Sequence, residues 1–343
     1  MHKYITVQSM TKTNTADIAA TTKQIGELAA IGCDIIRVAV PDIESADAIA
    51  KIKENITIPL VADIHFDHKL ALRAIEAGAD KIRINPGNIG GEDNVKAVAK
   101  ACNQRKIPIR IGVNSGSLSK EILKKHKKVT PEAMVESALS HVKLLNKFDF
   151  DNIWLSAKTS SVPLTVKTYR LLHEQTKYPL HLGITEAGTQ YSGTIKSAMG
   201  IGALLLDGIG DTIRVSLTAD PHEEIKAAKM ILQSLNLRPG IDIISCPTCG
   251  RCTIDVQKIA DELGSFLSHT NMYNNKNLTI AVMGCPVNGP GEAKQADYGI
   301  AGTGKTGKNE AANEGIIFAK GKIIKKAHMN ELFTELTELI TKG

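Results

Sequence analysis

The fold is decided by three consecutive stretches, Leu60-Val-Ala-Asp-Ile-His65, Leu70-Ala-Leu-Arg-Ala-Ile-Glu-Ala-Gly78 and Lys81-Ile-Arg-Ile-Asn85. The first and third are short apolar runs that end in polar residues, which is typical of buried strands. The second has apolar residues at helical spacing and closes with a glycine, which is typical of the end of a helix. A strand, a helix and a second strand in this order predict a βαβ unit with parallel strands.

The same alternation continues from Ile5 to about Leu235. An open doubly wound sheet is one interpretation, but its first strand is usually followed by a glycine-rich fingerprint, and Gln8-Ser-Met-Thr11 has none. Eight βα units in about 235 residues are typical of a TIM (β/α)8 barrel. We therefore predict an α/β protein with an N-terminal TIM barrel over residues 1–238. Its predicted strands are Ile5–Ser9, Asp34–Val40, Leu60–His65, Lys81–Asn85, Ile109–Asn114, Asn152–Lys158, Leu180–Glu186 and Thr212–Leu217.

A smaller domain is predicted over residues 239–343, after the plausible linker Leu237-Arg-Pro-Gly240. Strand-like and helix-like patterns are mixed there without a regular βα period, which predicts an α+β fold. The predicted elements are strand Asp242–Ser245, helix Thr253–Leu267, strand Leu278–Met283, a hairpin around Gly315–Lys326 and helix Asn330–Thr341.

The composition is that of a globular protein, with 343 residues, 43% apolar residues and a formal net charge of +6. Aromatic residues make up 4% and the basic residues form no concentrated stripe, so we expect no nucleic-acid partner. No stretch approaches the roughly 20 apolar residues that cross a bilayer, and the first residues lack the apolar core of a secretory signal. We expect a cytoplasmic protein without a membrane partner, in which cysteines stay reduced.

Polar residues occupy the ends of the predicted barrel strands, where the active sites of TIM barrels lie. Five of them are cations, which repel one another unless an anion lies among them. A phosphate-rich substrate is the simplest explanation, because guanidinium groups bind phosphate oxygens bidentately. The alternative is that some arginines pair with Asp63 or Glu186 below the mouth. The strand-end residues are Arg37, Asp63, His65, Arg83, Asn85, Arg110, Asn114, Ser156, Lys158, Glu186, Arg214 and Ser216.

Two of these residues are candidates for proton transfer. Glu186 lies in Gly183-Ile-Thr-Glu-Ala-Gly188, where a strand end enters a glycine-containing loop, and its carboxylate could exchange a proton with a substrate. His65 could do the same. The alternatives are a salt bridge for Glu186 and a hydrogen-bonded structural role for His65.

Four of the six cysteines lie in the last third of the chain, as Cys246-Pro-Thr-Cys249-Gly-Arg-Cys252 and Cys285. A C-x-x-C turn offers two soft sulfur ligands to one metal site. A zinc ribbon usually has a second C-x-x-C pair, and a bacterial ferredoxin run has a fourth cysteine four residues after the third; both are missing here. The spacing favours an iron–sulfur cluster over zinc, held by Cys246, Cys249, Cys285 and either Cys252 or an oxygen donor.

A glycine-rich segment, Gly299-Ile-Ala-Gly-Thr-Gly-Lys-Thr306, satisfies the G-x-x-x-x-G-K-T phosphate-loop pattern. That pattern requires a buried strand before it and a helix after it. The preceding Lys294–Tyr298 is polar, and the following Gly307–Gly315 has no apolar face. We therefore interpret this segment as a loop that leads into the hairpin.

Taken together, these motifs resemble those of the 4-hydroxy-3-methylbut-2-enyl diphosphate synthase family, the iron–sulfur enzymes of the non-mevalonate isoprenoid pathway. The resemblance covers nearly the whole chain and fits the compact bacterial two-domain form. The matching segments are Val7–Thr11, Val61–His65, Arg83–Asn88, Arg110–Ser117, Gly183–Gly188, Ser245–Arg251 and Gly284–Ala293.

The resemblance implies a reductive ring opening of 2-C-methyl-D-erythritol 2,4-cyclodiphosphate with loss of water. It implies that ferredoxin or flavodoxin supplies two electrons, one at a time, through a [4Fe-4S] cluster. The family's three cysteines and one glutamate map to Cys246, Cys249, Cys285 and Glu292, which leaves Cys252 outside the ligand set. A hard carboxylate among soft thiolates is the weaker and more exchangeable ligand, so Glu292 is expected to take part in catalysis.

The resemblance also implies where the substrate binds and how two chains cooperate. The diphosphate is expected to contact Arg37, Arg83, Arg110, Lys158, Arg214 and Ser216, and the carbon skeleton to lie among Asp63, His65, Asn85, Asn114 and Glu186. A barrel and its own tail, joined by a short linker, need not face each other. The family's solution is a head-to-tail homodimer in which each cluster caps the barrel of the partner.

Overall fold

A computed structural model of the chain describes residues 4–269, 277–303 and 314–342. The chain divides into two compact units, Met1–Leu237 and Arg238–Gly343.

The first unit is a barrel of eight parallel strands, each paired with its neighbours in chain order. Strand β1 pairs with both β2 and β8, and a parallel bridge between Leu155 and Leu180 links β6 to β7. The predicted TIM barrel is thereby confirmed. The strands are β1 Thr6–Met10, β2 Ile35–Ala39, β3 Leu60–Asp63, β4 Lys81–Ile84, β5 Ile109–Asn114, β6 Ile153–Lys158, β7 His181–Leu182 and β8 Thr212–Ile213.

Helices surround the strands and bury one apolar face against them, which forms a single core of isoleucine, leucine, valine and alanine side chains. Several begin with a side-chain cap, as at Thr130, whose hydroxyl accepts a hydrogen bond from Ala133 N. The helices are α1 Ile18–Ala30, α2 Ile43–Glu54, α3 His68–Glu76, α4 Glu92–Arg105, α5 Lys120–His126, α6 Pro131–Asn146, α7 Val162–Gln175, α8 Gln190–Leu206 and α9 Pro221–Ser234.

Strands β7 and β8 are shorter than predicted, because the chain leaves the ladder after two residues in each. At Gly183 a Cβ atom would lie 2.6 Å from the carbonyl oxygen of Arg214, so only glycine allows the two segments to approach this closely. Glu186, Arg214 and Ser216 therefore lie on loops beyond the strands rather than at strand ends.

The second unit has a five-stranded sheet in the order β13-β12-β11-β10-β9. Strands β9, β10 and β11 are parallel, whereas β12 and β13 form an antiparallel hairpin that pairs with β11. Apolar side chains of the two helices and of the sheet form its main core. The elements are β9 Ile241–Ser245, α10 Val256–His269, β10 Leu278–Met283, β11 Tyr298–Gly302, β12 Glu314–Ala319, β13 Lys322–His328 and α11 Leu332–Lys342.

The prediction of a loop over the glycine-rich segment is wrong for its first half. Tyr298–Gly302 is the buried central strand β11, and Gly299 and Gly302 lie within it. A Cβ atom at Gly299 would lie 2.4 Å from Phe318 Cζ, so the glycine makes room for a ring on the neighbouring strand. The second half of the segment, residues 304–306, lies outside the described residues.

Candidate active site

An ionic cluster surrounds Asp63 at the C-terminal end of β3. Asp63 Oδ2 lies 2.9 Å from Arg37 Nη2 and 3.3 Å from His65 Nε2. Asp63 Oδ1 accepts a hydrogen bond of 3.1 Å from Arg83 Nη1. Strands β2, β3 and β4 are neighbours, so their ends bring these side chains together. Arg37 and Arg83 are therefore paired with the carboxylate of Asp63, as the alternative interpretation of the strand-end arginines predicts.

Opposing effects act on the pKa of Asp63. Burial raises it, whereas the charge of Arg37, the hydrogen bond from His65 and the charge of Arg83 lower it. The attractive contacts win and hold the pKa well below its usual range, so Asp63 stays ionised at neutral pH. His65 differs from the other members because its side chain is 54% exposed. It is the member of this cluster that an incoming ligand reaches most easily.

Arg110 is buried inside the barrel, on β5. Its Nη1 donates a hydrogen bond of 2.5 Å to Gln8 Oε1, whereas its Nε and Nη2 find no partner in the described part of the chain. Burial, followed by the charges of Arg37 and Arg83, lowers its pKa well below the usual value. Buried N–H groups without acceptors are costly, so this guanidinium calls for an anion or water in the barrel.

Lys158 ends β6 and is buried with the arginines. Burial and the nearby guanidinium charges lower its pKa well below the usual value. Two glycines, Gly112 on β5 and Gly183 just after β7, make room for these long side chains. A Cβ atom at Gly183 would lie 2.7 Å from Lys158 Nζ, and one at Gly112 would lie 2.3 Å from Arg83 Nε. The barrel interior is therefore built to accommodate cations.

Arg214 follows β8, with its Nε 3.6 Å from Glu224 Oε2. Burial lowers its pKa to about 10, against the opposing charge of Glu224. Glu224 belongs to α9, is buried, and also accepts hydrogen bonds of 3.0 Å from Ser9 Oγ and Leu217 N. It thus ties β1, the loop after β8 and Arg214 together.

Positive charge exceeds negative charge in this part of the barrel. Two buried carboxylates, Asp63 and Glu224, stand among five cations. Neighbouring like charges repel by on the order of several kcal/mol at the effective dielectric of a protein. An anion with several oxygen atoms would relieve this repulsion and provide acceptors for the unpaired N–H groups. The cations are Arg37, Arg83, Arg110, Lys158 and Arg214.

Three uncharged candidates lie at the ends of neighbouring strands. Asn85 is buried just after β4, where its Oδ1 accepts a hydrogen bond of 3.2 Å from Gly87 N. Asn114 ends β5 and begins a 3₁₀ turn, Ser115–Ser117. Ser156 donates a hydrogen bond of 3.4 Å to the carbonyl oxygen of Ile111. Their amide and hydroxyl groups border the charged cluster without adding charge.

Glu186 and Ser216 lie on the loops after β7 and β8. Glu186 is exposed and has a φ of 51°, a left-handed conformation that costs a non-glycine residue about 1 kcal/mol or more. Ser216 is half-buried, close in sequence to Arg214. The two loops are joined by a parallel bridge between Thr189 and Thr218.

The cysteines of the second unit surround one cavity. Cys246 follows β9 and Cys285 follows β10, and these parallel strands are adjacent, so their C-terminal ends meet. Gly284 N donates a hydrogen bond of 3.2 Å to Cys246 Sγ. The cavity measures about 140 Å³, on a scale on which one water molecule needs roughly 10–15 Å³. It is lined by Cys246, Pro247, Thr248, Cys249, Arg251, Cys252, Gly284, Cys285 and Asn288.

The four thiols of this cavity are not equivalent. Cys285 is buried, Cys246 and Cys252 are half-buried, and Cys249 is exposed. Cys252 Sγ donates a hydrogen bond of 3.0 Å to the carbonyl oxygen of Ile254.

The fourth proposed ligand, Glu292, is the last residue of a π-helix, Val287–Glu292, and its side chain lies outside what the structure describes. Among the described side chains, no group of three or more His, Cys, Asp or Glu is placed to hold a single metal ion. The sulfur atoms border a space for a group of several atoms, which suits a cluster.

Sequence reasoning missed several residues of the charged barrel interior. Gln8 on β1 contacts Arg110, which lies 102 positions away in sequence, and Glu224 on α9 contacts Arg214. His181 on β7 is fully buried, with burial and Lys158 lowering its pKa well below the usual value. The alternation of inward and outward positions along β1 and β7 could have identified Gln8 and His181.

Family comparisons agree with this architecture. The GcpE TIM-barrel domain matches residues 2–229, and the GcpE protein C-terminal domain matches residues 242–342. The chain belongs to the GcpE family. The family predicted from the sequence motifs is thus confirmed.

Relatives within the GcpE family carry one enzyme name. The chain is 57% identical to the 4-hydroxy-3-methylbut-2-en-1-yl diphosphate synthase (flavodoxin) of Clostridium perfringens, over 98% of the chain and 93% of that protein. It is 58% identical to the enzyme of the same name from Caldanaerobacter subterraneus, over 98% and 92%. The prediction that the chain is an enzyme of this kind is confirmed.

Among solved structures, the chain is similar to a dihydropteroate synthase from Yersinia pestis, with a TM-score of 0.47 and 14% identity, over 68% of the chain and 93% of that protein. In the described part of the chain, none of the helices combines the length and the hydropathy that a bilayer crossing requires.

Proposed function

We propose that the chain converts 2-C-methyl-D-erythritol 2,4-cyclodiphosphate to 4-hydroxy-3-methylbut-2-enyl diphosphate. The reaction takes up two electrons and two protons, opens the cyclic diphosphate by breaking one carbon–oxygen bond, and releases a hydroxyl group as water. The observation that carries this proposal is the excess of buried positive charge in the barrel, with unpaired N–H groups on Arg110. Family membership and the names of the relatives support the same reaction.

The cations of the barrel bind the diphosphate. Arg37, Arg83, Arg110, Lys158 and Arg214 neutralise its negative charge, and Ser216 contributes a hydroxyl donor. Binding also raises the depressed pKa values of Arg110 and Lys158, because an anion favours their charged forms. The same cations stabilise the negative charge that collects on the diphosphate when the ring opens.

The other strand-end residues bind the carbon skeleton and exchange protons. Asn85 and Asn114 orient the hydroxyl groups of the substrate. Asp63 holds the side chains of His65, Arg37 and Arg83 in place. His65 and Glu186 are the exposed titratable groups of the set. We therefore assign to them the donation of the protons with which the hydroxyl group leaves as water.

The cysteine cavity holds the proposed [4Fe-4S] cluster, with Cys246, Cys249, Cys285 and Glu292 as ligands. When bound, such a cluster supplies the two electrons one at a time. Gly284 N donates a hydrogen bond to Cys246 Sγ, a contact that sulfur ligands of such clusters commonly accept. Cys252 Sγ donates its hydrogen bond to the carbonyl oxygen of Ile254, which supports a non-ligating role for that residue. Glu292 contributes the hard, exchangeable oxygen ligand.

Two kinds of partner complete the proposal. Flavodoxin, which the relatives' names include, or ferredoxin delivers the electrons. A second copy of the chain forms the head-to-tail homodimer that the family resemblance implies, so that the cluster of one subunit serves the barrel of the other.

Anaerobic purification tests the cluster and the substrate together. We expect a brown protein with about four iron and four sulfide per chain, whose reduced spectrum changes when the cyclic diphosphate is added. Glu292→Ala is expected to make the cluster labile or to change its spectrum, whereas Cys252→Ser keeps the colour and turnover. A colourless zinc protein, or a cluster whose reduced spectrum does not change when the cyclic diphosphate is added, would contradict the proposal. The reverse behaviour of the two variants would contradict the ligand set alone.

A further inference from the structure

The cysteine segment contains two overlapping C-x-x-C motifs that share Cys249. The first, Cys246-Pro-Thr-Cys249, supplies two of the proposed cluster ligands. The second, Cys249-Gly-Arg-Cys252, joins one of these ligands to a thiol outside the ligand set. All three cysteines line the same cavity. Because the C-x-x-C spacing is also that of dithiols that form and break disulfides in redox proteins, Cys249 and Cys252 are candidates for such a pair.

Cys249 and Cys252 are the two ends of one tight turn. Cys252 N donates a hydrogen bond of 2.9 Å to the carbonyl oxygen of Cys249, which closes a four-residue turn over Gly250 and Arg251. Such a turn holds its first and last Cα atoms less than about 7 Å apart, and disulfides join Cα atoms that are about 4.4–6.8 Å apart. The backbone therefore brings the two residues within reach of a disulfide.

Cys246 is held in a different way, by the neighbouring strand. Its backbone N donates a hydrogen bond of 3.4 Å to the carbonyl oxygen of Val282, and its Sγ accepts one from Gly284 N. In the described part of the chain, no backbone hydrogen bond closes a turn between Cys246 and Cys249. The sheet thus fixes Cys246, whereas the turn places Cys249 beside Cys252.

The two thiols of the turn differ in their access to solvent. Cys249 is exposed and Cys252 is half-buried. The side chain of Cys252 fits against Gly284, where a Cβ atom would lie 2.5 Å from its Sγ. There the thiol makes a hydrogen bond to the carbonyl oxygen of Ile254, and thiols are weak donors. An oxidant from solvent therefore meets Cys249 first, and rotation about its Cα–Cβ bond brings Cys252 towards the oxidised sulfur.

We propose that Cys252 is a resolving thiol, which closes a disulfide with Cys249 when hydrogen peroxide reaches a chain that has lost its cluster. The sulfur of Cys249 attacks one peroxide oxygen, the O–O bond breaks, and a sulfenic acid and one water molecule form. The sulfur of Cys252 then attacks the sulfur of Cys249 and displaces the hydroxyl group as a second water molecule. Two thiols and one hydrogen peroxide thus give one disulfide and two water molecules. A dithiol reductant restores both thiols by exchange.

The disulfide preserves Cys249 for later use as a ligand. A sulfenic acid that meets no second thiol is oxidised further to a sulfinic acid, which dithiols do not reduce. While the disulfide lasts, it also blocks cluster assembly, because a cysteine ligand must be a free thiolate. These two consequences rest on the proposed role of Cys249 as a cluster ligand, whereas the formation of the disulfide does not.

Peptide mass spectrometry of the full-length chain tests the disulfide. The chain is treated with hydrogen peroxide in the presence of a chelator that captures released metal, and the remaining thiols are then alkylated. Trypsin cleaves after Arg251, between the two cysteines, so the disulfide holds together two peptides that reduction separates. One of these peptides contains both Cys246 and Cys249. Fragmentation between these two residues shows which of them bears the link, and we expect Cys249.

Cys252→Ser tests the protection of Cys249. The serine hydroxyl also donates to the carbonyl oxygen of Ile254, so the fold is retained. The joined peptides should disappear, and Cys249 should gain two oxygen atoms instead. After a dithiol reductant and reconstitution with iron and sulfide, the wild type should regain its iron and sulfide content, whereas the peroxide-treated variant should lose this ability.

Cys102→Ala is the control. Cys102 is a buried thiol of α4 and is not among the residues that line the cysteine cavity, so its variant should respond to peroxide as the wild type does. A wild-type chain without joined peptides, or with the link at Cys246, would overturn the disulfide. Full recovery of the Cys252→Ser chain would overturn its protective role. An oxidised chain that takes up iron and sulfide as readily as the reduced chain would overturn the block, and with it the ligand role of Cys249, while the disulfide stands.

Discussion

Gln8 controls how much of the Arg110 charge is available to an anion. Its amide oxygen accepts the hydrogen bond from Arg110 Nη1, and this acceptor is neutral. The guanidinium is therefore oriented but not neutralised, and its other two nitrogens remain free of partners in the described chain. A carboxylate at position 8 would hold the same geometry while cancelling the charge.

Gln8→Glu should therefore weaken substrate binding without weakening the fold. We expect the KM for the cyclic diphosphate to rise roughly tenfold or more, on the order of 1.4 kcal/mol, because a fixed negative charge competes with the diphosphate. The melting temperature should stay level or rise, since the variant pairs a buried cation. Anaerobic steady-state kinetics and thermal melting measure the two effects.

The control for this change is Gln24→Glu. Gln24 also accepts a hydrogen bond through its side-chain oxygen, from Lys12 N, but it lies outside the charged cluster. Its variant should leave KM unchanged. A Gln8→Glu enzyme with normal KM, or one in which KM and melting temperature deteriorate together, would show that Gln8 does not set the charge of Arg110.

Lys81 is a second buried cation, at the start of β4 and away from the strand ends that carry the proposed substrate site. Its Nζ lies 3.5 Å from the centre of the Trp154 ring. Burial, followed by the charge of Arg110, lowers the pKa of Lys81 to about 7, against a weaker opposing effect of Asp211. Folding therefore favours the neutral amine, whereas the unfolded chain keeps an ordinary lysine pKa near 10.4.

This difference predicts how stability depends on pH. Between about pH 7 and pH 10 the unfolded chain binds more protons at Lys81 than the folded chain does, so the free energy of unfolding should rise with pH. One such group contributes at most about 1.4 kcal/mol per pH unit. Lys81→Met should reduce the slope, whereas Lys177→Met, at an exposed position, should not. Trp154 is the single tryptophan, so its fluorescence during denaturant unfolding reports on the barrel alone. Equal slopes in all three proteins would contradict the prediction.

At the scale of elements, the sequence was sufficient where apolar runs are bounded by clear signals. The positions of all eight barrel strands follow from short β-branched runs, and the sheet pairs them in chain order. Strands β7 and β8 were predicted too long, because their apolar residues continue past the last paired residue into the loops. Periodicity records which residues are buried, and it does not record where a ladder of hydrogen bonds stops.

Strand β11 shows a different reason for failure. Tyr-Gly-Ile-Ala-Gly, residues 298–302, has two glycines and reads as a loop. The glycines are needed because Phe318 leaves no room for a Cβ atom at Gly299, and the backbone at Gly284 leaves none at Gly302. These neighbours lie 19 and 18 residues away in sequence, so no local pattern contains this information.

The candidate site also has features that the sequence could predict and features that it could not. Strand-end residues could be predicted because a barrel places all of them at one end. The contacts that Gln8 and Glu224 make could not be predicted, because they join residues 102 and 10 positions apart, Gln8 with Arg110 and Glu224 with Arg214. The proposed distinction between ligand and non-ligand cysteines is supported by single hydrogen bonds, such as the one from Cys252 to Ile254, that spacing does not specify.

At the scale of the whole molecule, the proposed reaction needs the barrel cations and the cysteine cavity to act on one substrate, although they belong to different compact units. Either one chain supplies both, or two chains share each site. That question requires an experiment in which each chain can supply only one half.

Mixing an Arg110→Ala chain with a Cys285→Ala chain provides this experiment. If sites are shared, a mixed dimer contains one site with an intact barrel and an intact cysteine cavity, and random exchange of subunits should restore about a quarter of the wild-type activity. Mixing Arg110→Ala with Lys158→Ala is the control, because both changes lie in the barrel and no combination repairs it. Native mass spectrometry confirms that subunits have exchanged. Exchange without recovered activity would mean that each chain forms its site alone.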